Sequence, residues 1–199
     1  GPGQQELVSD IAQAASIAGG LLNPLLDFSR LEAGMVEPKF HEFSIASLLR
    51  DIEVGFRPQA EQAGLRLVVV ACNATIRSDK VLLSRIISNL MSNAIRYTET
   101  GRVLIGCRRQ GEGLRIEVWD TGAGIEARHL NAIFEEFHQI DTVGRDRDKG
   151  LGLGLAIVNV QAALLGHEVR VSSQPGHGSC FVVEVPLCET EEVVVEPEV

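Results

Sequence analysis

The sequence predicts an α+β fold in which helices cover one face of a mixed β-sheet, with a long helix preceding it. Three observations predict it. Apolar residues recur at helical spacing in four separated stretches, the first of them residues 4–33. The β-rich runs beyond residue 100 pair as hairpins around glycine-containing turns. Helices and strands interleave without the regular β-α-β beat of a doubly wound sheet.

The elements follow in order. Gly1-Pro2-Gly3 reads as a tag remnant and is excluded from the fold. Over residues 4–33, Leu7, Ile11, Ala14, Ala18, Leu21, Leu25 and Phe28 alternate spacings of four and three. That is the seam of a coiled coil or bundle, which calls for a partner helix. Pro24 should kink it, and Gly34 with Pro38 should stop it. Ser44 is placed to cap a helix over residues 45–63, ended by Gly64. A strand is expected over 65–72. Ser78 or Asp79 should cap a second helix running to Tyr97. Strands are expected over 102–109 and 114–119, a short helix over 127–134 and a charged loop over 138–150. A helix from Gly154 to Leu165 ends at Gly166. Strands over 169–172 and 180–187 close the domain, and the acidic residues 189–199 read as a disordered tail or linker.

The 199 residues are 45% hydrophobic and 23% charged, which is ordinary globular composition. The net charge is −9, with no block of Lys or Arg, so no nucleic-acid partner is expected. The apolar runs are too short to span a bilayer. Cytoplasmic location is expected, with a membrane anchor elsewhere in a full-length protein left open. Four cysteines, Cys72, Cys107, Cys180 and Cys188, lack any C-x-x-C spacing and read as reduced thiols.

Three constellations carry chemistry. In the first, Asn89, Asn93 and Arg96 fall within about 60° of one another on a helix, beside an apolar face. Asn oxygens are neutral, hard ligands suited to Mg²⁺, which takes few protein oxygens and completes its shell with phosphate and water. Arg96 can pair with phosphate, and Tyr97 can stack at the rim. The second is Asp120-Thr121-Gly122-Ala123-Gly124, directly after a strand. A carboxylate only accepts, so it suits the exocyclic amine of adenine, and the glycines let backbone pass close to a ligand. The third is Gly150-Leu151-Gly152-Leu153-Gly154 at a helix start, where free amides and the helix dipole favour anions. The charged loop before it, with Arg145, Arg147 and Lys149, reads as a lid. The bland alternatives are a solvated helix edge, a plain turn and a surface loop.

In this order and spacing, the set resembles the histidine kinase catalytic domain of the GHKL ATPase superfamily. Residues 89–98 resemble its N box, 120–124 its first glycine box, 134–139 its F box and 150–158 its second glycine box. The resemblance spans roughly residues 38–187 and implies a two-layer α/β sandwich of Bergerat type that binds ATP with Mg²⁺. It implies that Asn93 is the main Mg²⁺ ligand and Asn89 a second, that Arg96 contacts phosphate, and that Tyr97 borders the adenine. Asp120 would take the adenine amine, with Gly122, Gly124 and Ile125 shaping that wall. Lys149, Gly150, Gly152, Leu153 and Gly154 would serve the phosphates and lid, anchored by Phe134 and Phe137.

Residues 21–34 resemble the second helix of the family's dimerisation and phosphotransfer domain. The expected organisation is therefore a partial dimerisation helix over 4–37, an ATP-binding domain over 38–188 and the tail. No Ser-His-Glu…Arg-Thr-Pro segment, which carries the family's phosphoacceptor, occurs in the chain. His41-Glu42 lies beyond Pro38, in the wrong setting. Leu151 departs from the small or hydroxyl residue usual there.

The resemblance implies transfer of the ATP γ-phosphoryl group to a histidine on a separate helix. Implied partners are that acceptor helix, a downstream response regulator receiver domain and a second copy through residues 4–33. Hydrolysing relatives place a glutamate where Asn89 stands, and an amide cannot act as general base. The rival reading is an ATP-sensing interaction module without kinase activity.

Overall fold

Asp79 decides where the central helix begins. Its carboxylate accepts the N–H groups of Val81 (2.9 Å) and Leu82 (3.0 Å), the orphan donors of a first helical turn. Its other oxygen accepts the Lys39 N–H at 2.8 Å, which ties the incoming chain to the same cap. Burial opposes ionisation of Asp79, but these backbone donors outweigh it and hold the carboxyl below its ordinary range. The cap therefore contributes stability at neutral pH that is lost as the carboxyl protonates in acid. Asp79→Ala is expected to lower unfolding free energy by about 2 kcal/mol in urea titrations. A loss below about 0.5 kcal/mol would show that water replaces the cap.

A computed structural model describes residues 22, 25, 26, 28–111, 113–140 and 151–188. Its elements are β1 (His41–Ser44), α1 (Ile45–Gln62), β2 (Arg66–Val69), β3 (Thr75–Ser78), α2 (Lys80–Tyr97), β4 (Arg102–Gln110), β5 (Gly113–Asp120), α3 (Gly154–Leu165), β6 (Glu168–Gln174) and β7 (Gly178–Pro186). The main sheet has the order β2-β4-β5-β7-β6. β2 runs parallel to β4, and the other neighbours are antiparallel, so the sheet is mixed as expected.

The three helices pack on one face of this sheet. Alternate residues Val103 and Ile105 of β4, Leu114, Ile116 and Val118 of β5, and Phe181, Val183 and Val185 of β7 enter one apolar core. That core also takes Leu48, Leu49 and Ile52 of α1, Leu83, Ile86, Ile87 and Leu90 of α2, and Val158 and Ala162 of α3. The opposite face leaves Val70 and Trp119 exposed. Among the described residues, no helix is long and apolar enough to cross a membrane.

The structure departs from expectation in four places. β1 and β3, which the sequence does not announce, pair as a small antiparallel sheet with His41 opposite Ser78. Four residues each leave too little alternation to register as strands. The strand expected over 65–72 is confined to Arg66–Val69. The short helix expected over 127–134 is two 3₁₀ turns, Ala127–His129 and Ala132–Phe134, neither with a side-chain cap. Ser44 precedes α1 but makes no capping bond; instead the Ser47 hydroxyl donates to the Ser44 carbonyl.

Residues 28–32 are helical, and Gly34 follows them in the left-handed region at φ +64°. Phe28 and Leu31 bury themselves against Leu153, Ala156 and Ile157 of α3 and its entry. The seam upstream of residue 22, Pro24 and the tail over 189–199 lie outside the described residues.

Candidate functional site

α2 presents Asn89 and Asn93 half-buried on one side, while Leu90, Met91 and Ala94 are fixed in the core. Core packing thus holds the rotation of the helix and aims the asparagines. α3 begins directly opposite. A Cβ added at Gly154 would lie 3.8 Å from Asn89 Oδ1, so glycine keeps the start of α3 open toward that oxygen. The structure therefore brings the first and third constellations together, although 65 residues separate them. No described residue hydrogen-bonds to the Asn89 or Asn93 side chain. Among the described residues, no cluster of three His, Cys, Asp or Glu side chains could hold a metal. An amide oxygen at Asn89 facing a helix N-terminus, with a second amide at Asn93 one turn on, fits a hard cation shared with phosphate and fits no soft metal. Arg96 and Tyr97 are exposed at the end of α2.

Asp120 ends β5 and is buried against the C-terminal end of α2. Its Oδ1 accepts the Gly122 N–H at 2.8 Å. Burial pushes its pKa above the usual carboxylate range, while hydrogen bonds from Gly122 and Ser179 pull the other way. Gly122 has no room for a side chain, because a Cβ would strike the Tyr97 carbonyl and approach Asp120 Oδ1 to 2.9 Å. This close approach keeps the Asp120 loop against the end of α2, beside Tyr97. The Ile125 N–H donates to Ser173 Oγ at 2.8 Å, which fixes the far side of the loop.

Ser173 and Ser179 are site-forming residues that the sequence reading does not include. Their hydroxyls lie 3.0 Å apart, and Ser173 also donates to the Gly178 carbonyl. Ser179 donates to Asp120 through both backbone and side chain. The antiparallel pairing of β5 with β7 and of β7 with β6 brings them there, so no local motif marks them.

The glycine-rich entry to α3 divides. Gly152 takes φ +71°, and a Cβ there would press on the Phe137 and His138 backbone at about 3 Å. Leu153 is buried with Phe28 and Leu31, so its side chain serves the helix contact. Leu151 packs against the same cluster. Phe134 packs on the main core, whereas Phe137 is exposed. Lys149 and Gly150 lie outside the described residues. His41 lies on β1, with Nδ1 against the Lys39 carbonyl at 3.0 Å. A concavity of about 540 Å³ lined by Val70, Leu104, Cys107, Trp119 and Asp120 contains neither asparagine.

Residues 78–189 match the family described as histidine kinase-, DNA gyrase B- and HSP90-like ATPase. The chain is 33% identical over 188 residues to the sensor histidine kinase RcsC of Escherichia coli, covering 93% of this chain and 20% of RcsC. It is 37% identical over 183 residues to the autoinducer 2 sensor kinase/phosphatase LuxQ of Vibrio parahaemolyticus, covering 87% and 21% respectively. The chain therefore spans about a fifth of the length of these relatives. Its structure superposes on full-length ShkA, solved in complex with AMPPNP, with a TM-score of 0.84 at 32% identity. That match covers 93% of this chain and 39% of ShkA. The Acinetobacter baumannii histidine kinase AdeS shares the fold, with a TM-score of 0.75 at 20% identity over 91% of this chain and 84% of AdeS.

Proposed function

The chain belongs to the histidine kinase-, DNA gyrase B- and HSP90-like ATPase family, and from that premise we propose that it binds Mg²⁺-ATP and passes the γ-phosphoryl group to a histidine on a separate helix. The observation that carries this reading is the approach of Asn89 to the open start of α3, with Asp120 buried against the far end of α2.

Each residue then has a task. Asp120 accepts the adenine amine while Gly122 and Ser179 hold its carboxylate in place. Tyr97 borders the base, and Ile125 and Gly124 complete that wall. Asn93 and Asn89 hold the metal, and Arg96 pairs with phosphate. Gly152 and Gly154 keep backbone amides close to the β- and γ-phosphates, and Lys149 and Gly150 belong to the lid. When bound, Mg²⁺ offsets phosphate charge and fixes the phosphate geometry. Asn89 cannot take a proton from water, so transfer to an incoming imidazole is favoured over hydrolysis. The acceptor helix, a receiver domain downstream and a second copy through residues 4–33 are the proposed partners.

The test supplies labelled ATP, Mg²⁺ and a purified acceptor helical domain in trans. Acid-labile label on the acceptor histidine, lost in Asn93→Ala, is the expected result. Transfer should be slow, because the tethered geometry is missing. Tight binding of an ATP analogue with no label transfer would replace this reading with an ATP-sensing interaction module.

A further inference from the structure

Cys72 and Cys107 lie outside the nucleotide site, and nothing proposed above uses them. β2 and β4 pair in parallel with Val69 opposite Ile105. The Val70 N–H donates to the Ile105 carbonyl at 2.8 Å, so the pairing runs one residue past β2 and the chain then carries Ala71 and Cys72 alongside Cys107 and Arg108. Neighbouring strands lie about 4.8 Å apart, within the range that a disulfide can bridge. Both side chains pack against the helix-side core, and both are only half-buried. Cys72 lies close enough to Cys107 to disfavour its thiolate. The other cysteines lack such a neighbour. Cys180 is surrounded by Glu117, Arg115, Asp120 and Arg108, and Cys188 sits beside Glu42 and Arg77.

We propose that Cys72 and Cys107 form a reversible, peroxide-sensitive dithiol site that closes to a disulfide between the end of β2 and β4. Burial, with Cys72 beside it, pushes the Cys107 thiol up and so disfavours its thiolate. The Cys72 sulfur attacks one peroxide oxygen, the O–O bond breaks, and water leaves with formation of the sulfenic acid. Cys107 sulfur then attacks Cys72 sulfur. The S–S bond forms, the S–O bond breaks, and a second water carries away the hydroxyl with the Cys107 proton. Two thiols are oxidised, and one peroxide is reduced to two waters. A dithiol reductant reverses the bridge.

The experiment treats the purified chain with hydrogen peroxide, denatures it, alkylates the remaining thiols and maps the peptides without reduction. Two of the four cysteines should remain alkylatable, with one Cys72–Cys107 cross-linked peptide that dithiothreitol removes. Cys72→Ser and Cys107→Ser should each abolish that peptide. Four alkylated cysteines after oxidation, or a bridge that involves Cys180 or Cys188, would overturn the assignment.

Discussion

Asp120→Asn is expected to weaken binding of a non-hydrolysable ATP analogue by about a hundredfold, or about 3 kcal/mol. The carboxylate is acceptor-only, and part of its capacity already serves Gly122 and Ser179. The remainder can take the exocyclic amine of adenine. An Asn keeps one acceptor oxygen, which the protein donors occupy, and turns an NH₂ toward the incoming NH₂. Two donors then face each other in a buried site, so the cost exceeds that of one lost hydrogen bond. Stability should move the other way. Burial raises the Asp120 pKa, so the empty protein carries a cost for its ionised form at neutral pH. The amide removes that cost, and the thermal midpoint should hold or rise. Calorimetric titration beside a melting curve separates the two effects. Binding within about threefold of wild type would remove Asp120 from the adenine contact. A fall in midpoint that parallels the affinity loss would make it a purely structural residue.

The parts legible in the sequence are those whose determinants sit within one turn of the chain. α3 runs from Gly154 to Leu165 as read, because Gly166 can adopt the left-handed conformation that ends a helix. α2 also begins and ends as read, although Ser78 and Asp79 are equally good caps on paper. Asp79 takes the role because the Ser78 hydroxyl faces inward to His167. Pro58 sits inside α1 without ending it, since apolar burial at Ile45, Leu48, Leu49, Ile52 and Ala60 outweighs one lost backbone bond. Asn89 and Asn93 could be placed on a helix and Asp120 at a strand end because each lies on a strong element. Ser173 and Ser179 carry no such local signal, because the β5–β7 and β7–β6 pairings alone bring them to Asp120. Leu153 shows the converse. A helix start next to glycines suggests a ligand contact, but tertiary packing gives its side chain to Phe28 and Leu31.

His167 should make the fold sensitive to acid well before the carboxylates titrate. It follows the Gly166 cap and is buried, with Nε2 and the Ser78 hydroxyl hydrogen-bonded at 2.7 Å. That bond joins the α3–β6 corner to the residue before the α2 cap. Burial lowers its pKa from 6.5 to about 4. Below pH 6.5 the unfolded chain takes up a proton that the folded chain refuses, so stability falls as pH drops. The loss runs from about pH 6.5 to about pH 4 and then levels off once both states are protonated. Its full extent is about 3 kcal/mol, because each pKa unit is worth about 1.4 kcal/mol. Asp120 acts with the opposite sign, since its raised pKa means that acid relieves a cost. The clean measurement is therefore the difference between wild type and His167→Gln in urea unfolding at a series of pH values. Gln can still reach the Ser78 hydroxyl, and it does not titrate. The variant should lie below wild type at pH 7, and the gap should close or invert by pH 4. Parallel curves across that range would mean that water reaches the ring and that burial does not govern its charge.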